Sequence, residues 1–453
     1  MANNVSLSGI FTLVLIACVA GGAFWYVEDQ KQPKTINDFL KIGQEALNKQ
    51  DPKTAGEIAV QAREAFPDDN RPLLLASAAS SMNNKLEDAI EYLREPNKDA
   101  EFYLDCRVRL GVLQLAQGHV ADGKESLKEA LELDPINFDA NAQMMRLLRI
   151  EGRNWEARPY LFRLWMQGKY SVLAGMTLAT VDSVFIFEDE DKEFLELANG
   201  AHPQYPMLML GQGILTAGRG DIDRGLRGID DVLAVDPTQA EAVAQKGWIL
   251  LANNRTADYK VWRKNLPAEC LTHPLVWETL AVEAEAAGRV DEAMRCYWES
   301  LRLHPDRSRT SKNIARLLRI KGRNKDATPF SRRGRLLGEL EEMLAAERPE
   351  TDVAIKDMVD RMEELDRLPE AMAWCVLGIQ QGMKEMKERF ELIQKEWGDS
   401  VGTLANEKNP ALSVDLSDFP LPEGIAVDYD PIRIFSGLDV VEEIREEYGE
   451  QTK

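Results

Sequence analysis

A 34-residue repetition governs most of this chain. From residue 36 to residue 341 the sequence divides into nine consecutive units of 34 residues that stay in phase. Positions 8 and 27 of a unit tend to be small, position 15 Gly, position 20 Ala and position 32 Pro. The clearest unit, 274–307, has Ala281, Gly288, Ala293 and Pro305 at four of these positions. A fixed period of this length indicates stacked copies of one supersecondary unit.

Each unit is expected to fold as two antiparallel helices joined by a tight turn. Small residues at positions 8 and 20 let the two helices approach closely, Gly at position 15 suits the end of the first helix, and Pro at position 32 ends the second. A helix pair cannot bury its apolar face alone, so neighbouring pairs must share one continuous core. Units 70–103, 172–205 and 240–273 keep the phase but carry few consensus residues.

This pattern resembles the tetratricopeptide repeat (TPR), whose signature has the same period. The resemblance covers about two thirds of the chain, residues 36–341. It implies an all-α, right-handed superhelical solenoid of about nine to ten helix-turn-helix repeats. It also implies a concave groove lined by the first helices, with positions 2, 5, 9 and 12 facing a bound partner. The expected function is a non-catalytic scaffold or adaptor that binds a partner protein in this groove.

Two further segments follow the nine units. The phase slips by ten residues after position 341, so residues 342–398 are predicted to hold a tenth repeat, beginning near 352, and one capping helix over 372–398. The tail, 399–453, carries 13 acidic and 4 basic residues and is rich in Pro, Gly and Asp. This composition predicts an acidic, extended and mostly non-helical tail.

The N-terminal residues read as a membrane anchor. Residues 9–27 form an apolar run of 19 residues without a charged side chain, which is long enough to span a bilayer as one helix. Trp25 and Tyr26 end the run, as amphipathic aromatic residues do at a membrane interface. Residues 1–27 are therefore predicted to be a single-pass transmembrane anchor, and residues 28–35 a linker to the repeats.

Two other interpretations of this N-terminus stay open. Small residues around Ala23 suit a cleaved signal peptide, and Leu15-Ile16-Ala17-Cys18 resembles a lipidation motif that would modify Cys18. The uncleaved anchor is favoured because a basic N-terminal region is missing and the apolar run continues nine residues past Cys18. Lysines after the span favour a cytoplasmic repeat domain, but long folded domains can be translocated, so the side also stays open.

Composition argues against several other functions. The formal net charge of −21 opposes chain-wide nucleic-acid binding, because phosphate neutralisation needs a cationic surface. The five cysteines include no C-x-x-C pair, and the four histidines include no ligand pair four residues apart, so neither a metal nor a cofactor is expected. An envelope-assembly or secretion accessory factor remains an alternative. A regulatory or catalytic protein with its chemistry in the C-terminal region is another.

One local charge anomaly marks a candidate binding site. Residues 302–335 contain twelve basic and two acidic side chains, a local charge of +10 in a chain of −21. Segments 146–157 and 316–327 match nearly residue for residue, five units apart, which makes them equivalent positions of a duplicated block. Lys312, Arg316 and Arg319 occupy positions 5, 9 and 12 of unit 308–341, and Arg323 follows four residues later. Arg146 and Arg149 occupy positions 9 and 12 of the equivalent unit 138–171.

These six residues are the predicted partner-binding set. Arginine forks bind carboxylates in two-pronged fashion, so the set could take an acidic segment of a partner protein or the chain's own acidic tail. The competing interpretation is that these side chains form surface ion pairs with nearby acids, worth about 0–1 kcal/mol each.

Overall fold

The structure is a computed structural model that describes residues 35–166, 205–344, 351–400 and 410–428, with a few single positions between 194 and 201. All regular structure in these ranges is helical. The chain divides into two compact units, Met1–Gln114 and Leu115–Lys453. The predicted anchor at residues 9–27 and most of unit 172–205 lie outside the described ranges. Within those ranges, every helix is too short or too polar to cross a bilayer.

The first compact unit contains two complete helix pairs and most of α5. Its helices are α1 (Ile36–Asn48), α2 (Pro52–Ala65), α3 (Arg71–Met82), α4 (Leu86–Tyr92) and α5 (Tyr103–Ala116). The contact between the pairs consists of small and branched apolar residues, with Ala55 and Ala59 of α2 packed near Leu75 and Ala79 of α3. The helix pairs thus share a core across unit boundaries, as the stacking argument requires.

The second compact unit continues the alternation of first and second helices. Its helices are α6 (Val120–Leu133), α7 (Phe138–Ile150), α8 (Asn154–Met166), α9 (Pro206–Gly218), α10 (Ile222–Val235), α11 (Ala240–Ala252), α12 (Thr256–Lys264), α13 (Pro274–Ala286), α14 (Val290–Leu303), α15 (Ser308–Ile320) and α16 (Asn324–Leu344). A short 3₁₀ helix, Ala268–Thr272, follows α12. The weak-consensus units 70–103 and 240–273 have the shortest second helices of the described repeats, seven residues in α4 and nine in α12.

Close helix contacts explain the small residues at positions 8 and 20. A Cβ atom on Gly213 would lie 2.8 Å from the carbonyl oxygen of Gly225, and one on Gly247 would lie 2.3 Å from the Trp262 ring. Real Cβ atoms do not approach other atoms so closely, and therefore a larger residue would separate the two helices of each pair.

Position 15 has one backbone conformation throughout the described repeats. The residue there has a positive φ in every described unit, including +74° at Gly288, +56° at Asn254 and +59° at Gln50. Gly adopts this left-handed conformation freely, Asn tolerates it, and other residues are strained by roughly 1–2 kcal/mol. The sequence expectation that position 15 ends the first helix is confirmed, since each described first helix ends two residues before it.

The region after α16 differs from the expected single capping helix. The helices are α17 (Asp352–Glu364), α18 (Leu368–Gln380) and α19 (Lys384–Ser400), so the predicted continuous helix over 372–398 is wrong. Gly382 has a φ of +87° and ends α18 with the same turn that Asp366 provides after α17. The amphipathic pattern of 372–398 continues across this turn because α18 and α19 pack their apolar faces into one cluster that includes Trp374, Met386 and Ile393.

Part of the acidic tail packs against the repeats. Residues 410–428 begin with the single-turn helix α20 (Pro410–Ser413) and continue without regular structure. Ala411 and Leu416 are 1% exposed and belong to the core shared by α9–α16. The indole N–H of Trp298 donates to the carbonyl oxygen of Val414 at 2.9 Å, and the Arg263 guanidinium donates to that of Glu423 at 3.1 Å. We call residues 410–428 the C-terminal segment.

The C-terminal segment lies on second helices. Its contacts fall on α12, α14 and α16, and Arg295 of α14 donates to the carbonyl oxygens of Ser417 and Phe419. The hydrogen bonds to main-chain carbonyls do not depend on the side chains of the segment. Leu416 and Phe419 provide its apolar contacts with the repeats. Hydrogen bonds from Ser417, together with the positive charge of Arg295, hold the pKa of Asp415 below its ordinary value.

Gly288 tests the turn geometry. Because a side chain at a φ of +74° is strained, Gly288→Ala is expected to lower the unfolding free energy by about 1 kcal/mol. Gly218→Ala, the same substitution at the end of α9, should leave stability unchanged or raise it, because Ala favours a helix and the Cβ meets open space. Urea denaturation followed by circular dichroism measures both. Equal effects of the two substitutions would contradict the assignment of position 15.

Leu416 tests the docking of the C-terminal segment. Leu416→Ala removes a fully buried side chain and is expected to weaken docking by about 2–4 kcal/mol, so that chymotrypsin cleaves after Phe419 much faster than in the native chain. Leu392→Ala, at a leucine of α19 that is 70% exposed, is the matched control and should not change cleavage. Slow cleavage of the Leu416→Ala variant would show that this contact does not hold the segment.

Candidate functional site

Helix α15 has two unlike faces. Its buried side holds Ile314, Ala315, Leu317 and Leu318, which are at most 1% exposed. Its exposed side carries four basic residues with helical spacing, Arg309, Lys312, Arg316 and Arg319. We call these four residues the basic face of α15. Arg309, at position 2 of its unit, joins three of the residues predicted from sequence.

The Arg316 guanidinium reaches the neighbouring first helix. It forms an ion pair with the carboxylate of Glu285 at the end of α13, and both side chains are partly exposed, 47% and 28%. Glu285 also accepts a hydrogen bond from the Tyr297 hydroxyl at 3.1 Å, and Asn313 donates to that hydroxyl at 3.2 Å. The network fixes the direction of Arg316 but leaves about half of its surface open to a ligand.

Lys312 and Arg319 lie against the second helix of their own unit. A Cβ on Gly334 would lie 3.0 Å from Cγ of Lys312, and one on Gly338 would lie 2.6 Å from its Nζ, so the lysine packs across two glycines of α16. Arg319 donates to the Ser331 hydroxyl at 2.7 Å. Among the described residues Lys312 has no ion pair.

Arg309 and Arg323 have aromatic neighbours in different places. The Arg309 guanidinium lies 5.3 Å from the ring centroid of Trp248 on α11. Arg323 stands in the turn after α15, bonds Asp326 at 2.5 Å, and lies 5.7 Å from the Phe419 ring of the C-terminal segment. Arg323 therefore does not continue the basic face, because the chain leaves the helix before reaching it.

Arg146 and Arg149 lie on α7, five units before α15. Arg146 is exposed like its equivalent Arg316, whereas Arg149 is half-buried although its equivalent Arg319 is exposed. The described contacts do not bring the α7 pair together with the basic face of α15. Part of the duplicated sequence has a structural explanation, since Arg153 pairs with Glu156 in the first copy as Arg323 pairs with Asp326 in the second.

A buried ion network after α7 was not anticipated from the sequence. Glu151 is 0% exposed and its carboxylate accepts hydrogen bonds from Lys124 Nζ at 2.9 Å, Arg153 Nη1 at 2.8 Å and the Tyr205 hydroxyl at 3.0 Å. Burial lowers the pKa of Lys124, although the charge of Glu151 opposes the shift. Burial raises the pKa of Tyr205, so its hydroxyl stays a donor. In the second copy Lys321 replaces Glu151 and pairs with Asp291 at 2.6 Å.

Histidine and cysteine have structural roles in the described ranges. His273 caps α13 and contacts Glu241 at 3.0 Å, and His304 accepts a bond from the Asp306 amide. Burial raises the pKa of the Cys270 thiol to about 12, so the thiol stays protonated at neutral pH. Among the described residues, no group of histidine, cysteine and acidic side chains has the arrangement of a metal site. Cys18 lies outside those ranges.

Glu151→Gln tests the buried network. Removing the carboxylate charge leaves Lys124 and Arg153 partly buried without their shared partner, which is expected to cost about 3–5 kcal/mol of stability. Glu388→Gln, at an exposed position of α19, is the matched control and should change stability by less than about 0.5 kcal/mol. Thermal unfolding of both variants measures the difference. A Glu151→Gln variant as stable as the native chain would mean that the network contributes little.

Comparison with known proteins gives remote similarity. No protein-family model matches the chain. The chain is 22% identical over 299 residues to the peroxisomal targeting signal receptor of Saccharomyces cerevisiae, a match that covers 64% of this chain and 43% of the receptor. It is 24% identical over 213 residues to the receptor of the same name from Eremothecium gossypii, covering 47% of this chain and 31% of the receptor. The chain spans less than half of the length of either relative.

Solved structures with similar helices include three repeat proteins. Yeast Tom70 has 12% identity and a TM-score of 0.28, with 90% of this chain and 99% of that chain covered. The Cut9–Hcn1 hetero-tetramer of APC/C has 13% identity and a TM-score of 0.30, with 91% of this chain and 80% of that chain covered. The P58(IPK) TPR domain has 16% identity and a TM-score of 0.23, with 81% of this chain and 99% of that chain covered. These scores are too low to support an argument from shape, so the TPR-like fold rests on the chain's own period and helix pairs.

Proposed function

We propose that this protein is a non-catalytic scaffold that binds an acidic segment of a partner protein along the first helices of its repeats. The observation that carries this proposal is the basic face of α15, where four exposed cationic side chains share one helix in a chain of net charge −21. Carboxylates of an extended or helical partner segment would bond to Lys312, Arg316 and Arg319, and apolar side chains beside them would give specificity.

Surface ion pairing involves only part of the basic face, which supports the proposal. Of Lys312, Arg316 and Arg319, only Arg316 is bonded to a carboxylate in the described ranges, and about half of that side chain remains exposed. A stripe that served only to neutralise surrounding acids would have acidic partners along its whole length. The distribution of bonds therefore supports a role in binding an external acidic group.

The overall negative charge of the chain is compatible with an acidic partner. At physiological ionic strength the Debye length is about 8 Å, so charges farther away than this are largely screened. A ligand at α15 thus responds to the local charge of +10 in residues 302–335 more than to the distant acids. The interaction should weaken as salt concentration rises, as exposed charge pairs do.

The remote relatives add modest support for a receptor-like role. Both carry the name peroxisomal targeting signal receptor, and the matched parts include repeats of this chain. A protein that recognises a segment of another protein is consistent with that name. The identity of the partner segment is proposed here from the charge of α15, independently of what those receptors bind.

We also propose that residues 9–27 anchor the scaffold in a membrane as a single helix. The support is the uncharged run of 19 residues and its terminal Trp25 and Tyr26. The intact mass of the membrane-extracted chain distinguishes an uncleaved anchor from cleavage of residues 1–27 and from lipidation of Cys18. An unmodified mass that includes residues 1–27, with resistance to alkaline extraction, is the expected result.

A charge-reversal variant tests the binding face. Lys312→Glu, Arg316→Glu and Arg319→Glu together should weaken partner binding more than tenfold, because charge-assisted hydrogen bonds contribute about 1.5–3 kcal/mol each. The measurement is co-purification from detergent-solubilised membranes, followed by affinity measurement with the recovered partner at low and physiological salt. Equal helicity and thermal stability of the variant must be shown first.

The matched control changes the same charge on a second helix. Lys325→Glu, Arg332→Glu and Arg335→Glu alter three exposed bases of α16, two of which also lose an ion pair, with Glu364 and with Glu339. This variant should retain the partner. Recovery of the same partners by the native chain and both variants would remove the basic face of α15 as the binding site.

A further inference from the structure

The C-terminal segment, residues 410–428, docks on repeats that it does not directly follow. The segment comes after α19, and α17, α18 and α19 pack into a core of their own with the end of α16. Among the described residues, that core has no member from the segment. Ala411 and Leu416 instead enter the core shared by α9–α16. The surface that buries these two residues is therefore formed without the helices that lead to the segment.

A buried carboxylate of α14 fixes the donors of this surface. Glu299 is 0% exposed, and its two oxygens accept hydrogen bonds from Arg295 at 2.8 Å and from Arg302 at 2.9 Å. The two guanidiniums lie 5.4 Å and 4.5 Å from the centroid of the Trp298 ring. A buried carboxylate is costly unless it is paired and bonded, and here the pairing holds two arginines beside one indole. These contacts lie within one helix, so they do not require the segment.

The surface binds the segment largely by its main chain. Trp298, Arg295 and Arg263 donate hydrogen bonds to four carbonyl oxygens that are spread from Val414 to Glu423. The bonds with regular lengths are between 2.9 and 3.1 Å. Main-chain carbonyls are present in any chain segment, whether it belongs to the same molecule or to another. The donors therefore accept a segment from either source.

Side chains make this surface selective for the sequence of the segment. Leu416 is 1% exposed, and Phe419 packs against the same core. The segment carries four acidic and no basic side chains. Three arginines of the repeats contact it: Arg263, Arg295 and Arg323. Shape and charge together thus fit the surface to this segment.

The segment has few interactions that would tie it permanently to its own repeats. Of its described side chains, Pro410, Ala411, Leu416 and Pro422 are buried, and the others are partly or fully exposed. Its internal main-chain hydrogen bonds join residues three or four positions apart, and its one helix is a single turn. A region with so few buried apolar groups opens at a lower free energy than the packed core. The segment can therefore leave its site while the repeats stay folded.

We propose that this surface binds the C-terminal segment of a second copy of the chain, in competition with the chain's own segment, and so links two copies. The exchange preserves every contact described above, because both copies have the same surface and the same segment. Reciprocal exchange relates two identical contacts by a twofold axis and closes a dimer. The surface does not include Lys312, Arg316 or Arg319, so this inference is independent of the acidic partner proposed for α15.

A fluorescein-labelled synthetic peptide of residues 410–428 tests binding of a separate segment. Fluorescence anisotropy with the full chain in detergent should show saturable 1:1 binding to the Leu416→Ala variant. Binding to the native chain should be at least tenfold weaker, because a tethered competitor has an effective concentration on the order of millimolar. A peptide that itself carries Leu416→Ala should bind the Leu416→Ala chain at least tenfold more weakly than the native peptide does.

A surface variant, Arg263→Gln with Trp298→Phe, removes two of the three donor side chains without changing the bonds of Glu299. Added to the Leu416→Ala chain, it should weaken peptide binding at least tenfold. The matched control is Arg219→Gln with Trp374→Phe, at an exposed arginine and at an indole nitrogen without a partner in the described ranges. This control should leave the affinity unchanged, and circular dichroism should show equal helicity for all variants.

Differently tagged full chains test the link between copies. A Leu416→Ala copy has an intact surface and a weakened segment, whereas a copy with the surface variant has the reverse. Because only the mixed pair combines an intact surface with an intact segment in trans, affinity purification should recover it at least tenfold more efficiently than either variant paired with itself.

Each other result would overturn the proposal. A peptide that does not bind the Leu416→Ala chain would show that the surface does not accept a separate segment. Equal affinity of the peptide for the native and Leu416→Ala chains would place its binding elsewhere. Absence of the mixed pair, or equal recovery of all three pairs, would show that the C-terminal segment does not link copies of the chain.

Discussion

The close approach of two helices within each repeat is the contact on which the rest of the structure depends. At Gly213 and Gly225 the backbones of α9 and α10 meet with no room for a Cβ, and Ala281 and Ala293 are fully buried at the same repeat positions in α13 and α14. Dispersion contacts over such a surface are individually small but numerous. Because the pairs are narrow, their outer faces can stack, and the core runs without interruption from α9 to α16.

Buried charged side chains are paired in this structure, whereas exposed ones need no partner because water solvates them. Glu151 is fully buried, and three donors satisfy its carboxylate, which offsets the cost of removing it from water. On α15, by contrast, Lys312 and Arg319 remain exposed without carboxylate partners in the described ranges. The first arrangement joins residues of neighbouring repeats, and the second leaves charged groups exposed at the surface.

The C-terminal segment covers part of the surface formed by the second helices. Leu416 enters the shared core, and Trp298 and Arg295 hold the main chain. The described part of the tail thus lies on α12, α14 and α16, and its described contacts do not reach Lys312, Arg316 or Arg319.

The repeat period by itself determined that each unit holds two helices, that the first ends near position 15, and that small residues at positions 8 and 20 lie where the two helices approach each other. These features are local and recur every 34 residues, so one well-matched unit such as 274–307 predicts the others. The exposed positions of Lys312, Arg316 and Arg319 also followed from helical spacing, because the direction of a side chain on a helix depends on its register.

Only the tertiary structure decided which charges meet and where the tail lies. The partners of Glu151 come from positions 124, 153 and 205, distances along the chain that no periodic pattern encodes. Composition alone predicted that residues 399–453 form an extended acidic tail, yet Leu416 is buried. A few apolar residues in a polar segment are enough to dock it on a surface that the repeats already form. The sequence pattern did not show the break between α18 and α19. Both helices pack their apolar residues into one cluster, and the apolar spacing continues through the turn at Gly382.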